Sequence, residues 1–227
     1  MTRLRLWLAL PVLSMRLAVA VVLVVATSAT AQAHPHVWVT MTTDLVYDAS
    51  GAATGVRQVW TFDDMYSAFA TTGIKAKIKG QFTRDELEPL AKINVDSLKD
   101  YDYFTYATID GKRNKKAFAD PVDYWLTYDP KATVLTLHFT LPFRRPVKAK
   151  VLKIEIYDPE FFVDFEFADK NAIKLVNAPQ QCAAWTDKPS DQNFLPQQQS
   201  LNKSFVPSEA FIGMGMDFAN KLLVQCP

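Results

Sequence analysis

Beyond residue 33 the sequence has no apolar run of membrane-spanning length, and it lacks the compact motifs that announce a common chemistry. There is no C-x-x-C pair, which speaks against a short-spaced zinc site. No glycine-rich phosphate loop is present, and no Ser/His/Asp set reads as a nucleophilic triad. An excess of positive charge is missing too: 25 Lys+Arg face 24 Asp+Glu. Three of those arginines lie in the first 33 residues, so His34–Pro227 carries a formal charge of −2, and nucleic acid is not an expected partner. No internal repeat is seen. Histidine and cysteine are rare, three and two in 227 residues, so each can be weighed individually.

The first 33 residues have the parts of a secretory signal. Arg3 and Arg5 precede the apolar stretch Leu6–Leu13, Arg16 interrupts it before Leu17–Val25, and Ala31-Gln32-Ala33 is an Ala-x-Ala cleavage site. Each stretch is too short to span a bilayer comfortably, so cleavage is favoured over an uncleaved anchor. Residues 1–33 are read as a signal peptide and 34–227 as a single periplasmic domain, not membrane-embedded after cleavage. In an exported chain the even pair Cys182 and Cys226 reads as a disulfide tying the C-terminal tail to the body. Two thiolate metal ligands so far apart in sequence are the weaker alternative.

The mature part opens with strict alternation. Val37, Val39, Met41, Leu45 and Tyr47 take one face while His36, Thr40, Thr42 and Asp44 take the other, the pattern of a half-buried strand. Asp48–Gly51 is a turn, and Gly55–Phe62 completes a hairpin. Strands are predicted again at Tyr103–Ile109, Val122–Tyr128, Val134–Leu141, Val151–Tyr157, Phe161–Phe167 and Ile173–Val176. Between the second and third strands, residues 63–100 are read as a helical insertion. Asp63–Thr72 forms one helix, and Thr83-Arg-Asp-Glu86 is a capping box for another running to about Lys99, kinked or delayed by Pro89. Pro207–Asn220 is predicted as a C-terminal helix. The expected class is α+β: mainly an antiparallel β-sandwich carrying this insertion and that helix.

Lys75 to Glu86 has the frame of an EF-hand loop, with Gly80, Phe82 and Glu86 at the turn, apolar and closing positions. Lysines 75, 77 and 79 stand where oxygen ligands belong. The loop is therefore read as degenerate, and no calcium is expected.

The candidate chemistry is a metal site. His34-Pro35-His36 follows the cleavage point, so His34 would offer both its free amine and its imidazole, with His36 on the same side of an extended chain. His138 lies on the polar face of its strand and is available as a third imidazole. Imidazole-rich sites suit zinc, copper and nickel. Cleavage after Ala31 would instead leave histidine third, an arrangement that supports square-planar copper(II) or nickel(II). The carboxylate of Asp63 either completes a metal site or caps the following helix.

His34-Pro-His-Val-Trp-Val, Val59-Trp-Thr-Phe-Asp63, Tyr101-Asp-Tyr-Phe104, Leu135-Thr-Leu-His-Phe-Thr-Leu-Pro142 and Ile156-Tyr-Asp-Pro159 occur in that order. In these motifs the chain resembles a bacterial periplasmic family catalogued as domain of unknown function number 1007. The resemblance covers nearly the whole mature chain. It implies an uncharacterised transport-system periplasmic component working with a membrane metal transporter or permease, and it marks His34, His36, Asp63 and His138 as motif positions. The expected function is periplasmic binding or delivery of a divalent transition metal. The alternatives are an interaction subunit of a transport system whose histidines are incidental and, further off, a copper-dependent oxidative enzyme.

Overall fold

A computed structural model describes residues 35–188 and 214–227. Alternation of buried and exposed positions builds the opening hairpin as expected: β1 (Val37–Tyr47) pairs antiparallel with β2 (Ala53–Phe62). The turn between them is closed by Asp48, whose Oδ1 accepts the amides of Ser50 and Ala52, and by Gly51 at φ +76°. The chain continues through β3 (Thr105–Ile109), β4 (Lys112–Asn114), β5 (Val122–Asp129), β6 (Val134–Val147) and β7 (Val151–Ile156). It ends with β8 (Val163–Phe167), β9 (Ile173–Val176), β10 (Ala183–Asp187) and β11 (Asn220–Gln225).

These strands make two sheets. The first runs β5-β6-β2-β1-β8, with β9 also on β1; the second runs β10-β11-β7-β3-β4. Most pairings are antiparallel, but β8 and β9 both lie parallel to β1, with Trp38 opposite Asp164 and Leu45 opposite Leu175. A parallel neighbour needs a crossover rather than a tight turn, and here most of the second sheet intervenes.

The buried faces of both sheets contribute to one core. Trp60 is enclosed between the edges of Phe139 and Phe165, at 4.8 Å each, and Phe165 in turn meets Phe104 from the second sheet's side at 5.5 Å. A buried polar relay crosses the same space. Thr43 Oγ1 donates to Gln58 Oε1 at 2.7 Å, Gln58 Nε2 donates to Thr105 Oγ1 at 3.4 Å, and Thr105 donates to the Tyr103 carbonyl at 2.9 Å. The side-chain amide of Asn220 donates to the Phe165 carbonyl, linking β11 to β8. Satisfied polar groups in an apolar core favour one register over its neighbours.

Two helices occupy the insertion. α1 (Asp64–Ala70) is capped by Asp63; α2 (Arg84–Leu98) starts at the Thr83/Glu86 capping box and buries Leu87, Ala91 and Val95. Pro89 does not delay it: the helix begins at Arg84 and carries the proline inside, on its exposed face. In the loop before α2, Glu86 accepts the amides of Lys77 and Thr83, at 2.8 Å each.

Several elements differ from the sequence reading, among them β4, which was not predicted, and β6, which runs on to Val147. The third strand begins at Thr105, not Tyr103, because Asp102, Tyr103 and Phe104 turn left-handed at φ 51°, 55° and 49°. Such turns cost about 1–3 kcal/mol per non-glycine residue. Here the Tyr103 hydroxyl bonds Asp120, and Tyr157 N–H bonds the Phe104 carbonyl. Of the predicted helix Pro207–Asn220, residues 207–213 lie outside the described residues; Met214–Phe218 is a short 3-10 turn and Asn220 opens β11. Strand β10, absent from the sequence reading, pairs β11, and the Cys182–Cys226 disulfide closes the open end of that pair.

Candidate functional site at the head of strand β1

Even-numbered positions of β1 point to the outer face of the first sheet, so the alternation that buries Val37 and Val39 exposes His36 and Trp38. The His36 backbone N–H donates to the Phe162 carbonyl at 2.8 Å, and its ring lies 4.9 Å from the Phe162 ring. Among the described residues no hydrogen bond reaches the His36 ring nitrogens, which leaves both free to act as donors or ligands. His34 lies outside the described residues.

Asp63 is the N-cap of α1. Its Oδ1 accepts the Tyr66 amide at 2.7 Å, and its Oδ2 accepts the Trp38 amide at 2.8 Å, while the Asp63 N–H returns a bond to the Trp38 carbonyl. Each carboxylate oxygen is thus held by a backbone donor, which ties the start of α1 to the head of β1.

His138 is elsewhere on the same outer face. Register places Thr42, Val59 and His138 in one row across β1, β2 and β6. His36 is six residues further along β1 and two strands away, roughly 20 Å along and roughly 10 Å across. Two imidazoles of ordinary reach cannot close that gap, so the structure does not bring His138, expected with Asp63 as an alternative to complete the site, up to His36. His138 instead stacks on Trp125, with centroids 4.7 Å apart and planes 4° apart, and its Nε2 meets Thr127 Oγ1 at 3.1 Å. The guanidinium of Arg84 lies 4.7 Å from the centre of the same indole. Burial, with help from the Arg84 charge, lowers the His138 pKa from its usual 6.5.

The parallel pairing adds a residue that sequence reasoning missed. Asp164, opposite Trp38 on the parallel strand β8, stands two residues beyond Phe162 and so diagonal to His36 on the outer face. Burial, then the nearby Glu166, pushes its pKa up to about 6. The alternation in Phe161–Phe167 puts Asp164 and Glu166 on one face, but nothing local announces that this face adjoins β1. Among the described residues no three His, Cys, Asp or Glu side chains gather as a metal site.

Apolar side chains surround this end. Trp38 is 45% exposed, Phe162 52%, and Met65 and Phe69, one turn apart on α1, 63% and 79%. Among the described residues no helix is long and apolar enough to cross a membrane.

A curated protein from Haemophilus influenzae, described as an uncharacterized protein, is 24% identical to this chain over 177 residues, covering 76% of this chain and 82% of the relative. The sequence model of a family described as protein of unknown function (DUF1007) matches residues 19–226, nearly the whole length, and the chain belongs to that family.

Proposed function

We propose that the chain is a periplasmic protein, exported by a cleaved signal peptide, that binds one divalent transition metal ion at the head of β1 and delivers it to a membrane metal transporter. His34 supplies its amine and imidazole, His36 its imidazole, and Asp164 an oxygen; zinc, nickel and copper all accept such nitrogen-rich sets. His138 and Asp63 are left out of the set, the first by distance and the second by its capping bonds. The observation that carries this reading is the exposed His36 imidazole, without a hydrogen bond among the described residues, standing diagonal to Asp164. In the same reading the fold is an α+β sandwich, and Lys75–Glu86 keeps a helix–loop–helix outline without calcium.

Metal titration of the mature protein tests it. His36→Ala should weaken zinc, nickel or copper binding at least tenfold and His138→Ala should not; equal loss in both variants would reject the site. A second reading, an interaction subunit that holds no metal, is favoured by the exposed Trp38, Met65, Phe69 and Phe162 around the same strand end. It predicts partner binding that survives His36→Ala.

A further inference from the structure

Two cationic runs of the chain, Lys112–Lys116 and Arg144–Lys150, hold eight Lys and Arg and no acid. The fold joins the runs. Arg144 N–H bonds the Ala117 carbonyl and Ala119 N–H bonds the Pro142 carbonyl, both at 2.8 Å, while the Phe118 and Phe143 rings stack at 4.7 Å. Between them opens a concave space of about 430 Å³, lined by Asn114, Lys116, Arg144, Arg145 and Lys148 and by no acidic residue. None of those four cations forms a salt bridge among the described residues. Arg144 does reach Asp120 electrostatically and Lys148 reaches Asp48. The groove sits by Val147, which pairs with Ala53 next to the tail end of β1, an eleven-residue strand away from His36, or roughly 35 Å.

We infer that this groove is a binding site for a phosphate-bearing anion, free or as the headgroup of an acidic phospholipid. Guanidinium forks suit phosphate oxygens in pairs, ammonium groups add point charge, and the Asn114 amide adds a neutral donor. Like charges brought together with no carboxylate lining the groove raise the local anion concentration, and that attraction weakens as salt rises. The inference is independent of the metal site, which lies at the other end of β1.

Two arms distinguish the sources: calorimetric titration of the mature protein with inorganic phosphate, and sedimentation with vesicles of phosphatidylglycerol and phosphatidylcholine against phosphatidylcholine alone. Arg144→Gln with Arg145→Gln should weaken binding about thirtyfold, whereas the equally charge-reducing Lys75→Gln with Lys79→Gln should change it less than threefold. Lys116→Gln with Lys148→Gln repeats the test from the other side of the groove, and a thermal melt verifies that each variant folds. Binding of phosphate itself identifies a small-anion site; binding of acidic vesicles alone identifies a headgroup site. No binding in either arm, or the same loss in the Lys75/Lys79 control, overturns the inference.

Discussion

Replacing Asp63 by alanine separates its role as a cap from the role of a metal ligand. The substitution removes the acceptor for the Tyr66 amide at 2.7 Å and for the Trp38 amide at 2.8 Å. Losing an N-cap costs typically about 1 kcal/mol. A hydrogen bond to a charged group contributes about 1.5–3 kcal/mol when buried, but Trp38 is 45% exposed and water replaces part of that bond. The expected loss is therefore about 2 kcal/mol in urea denaturation, or roughly 4–8 °C in Tm for a domain of this size. Asp63→Asn keeps one oxygen to cap α1 and should lose about half as much, since asparagine caps nearly as well as aspartate. Metal affinity, measured at a temperature where both variants are folded, should be unchanged. A stability loss below about 0.5 kcal/mol in the alanine variant, or metal affinity lost in a folded one, would refute the reasoning.

A Cβ at Gly55 would stand 2.9 Å from the Leu141 carbonyl oxygen and 3.0 Å from Pro142 Cα, both backbone. Gly55→Ala should thus cost about 1–3 kcal/mol in chemical denaturation. Replacing Cys182 and Cys226 by serine together opens a link across a sequence separation of 44 and should cost about 4 kcal/mol on the chain-entropy account; an unchanged denaturation midpoint would contradict that. His138, with its pKa below 6.5, favours the neutral form in the folded state. Its contribution is fully present above the unfolded value and is lost as pH falls from about 6.5 through the lower folded pKa. Stability should decline over that window, and His138→Gln should flatten the decline in pH-dependent melts.

The β1–β2 hairpin, the two capping residues and the disulfide were legible because each depends on local pattern or on a count of two. Val37 to Tyr47 alternates cleanly, Asp48 and Gly51 suit the turn, and Thr83 and Glu86 stand three apart. The parallel placement of β8 was not legible: strand pairing across a long crossover has no local signature, and with it went the neighbourhood of Asp164 and His36. The same blindness allowed His138 to be grouped with His36. Both lie on polar faces of strands, but faces say nothing about the distance along a sheet. The left-handed turn at Asp102–Phe104 was hidden because aromatic residues rarely adopt positive φ, and long-range contacts hold it: the packing of Phe104, the Tyr103–Asp120 bond and the Tyr157 N–H bond to the Phe104 carbonyl. The cationic groove escaped because the chain's near-neutral total conceals two runs that meet only through the pairing of residues 117–119 with 142–144.

Native mass spectrometry of the protein purified from the periplasm tests the central claim most directly, since one spectrum reports both the N-terminus and any bound metal. The account predicts a chain beginning at His34 that carries one zinc, nickel or copper ion and loses it in His36→Ala. A metal-free mass that stays unchanged after stoichiometric zinc, nickel and copper would contradict it.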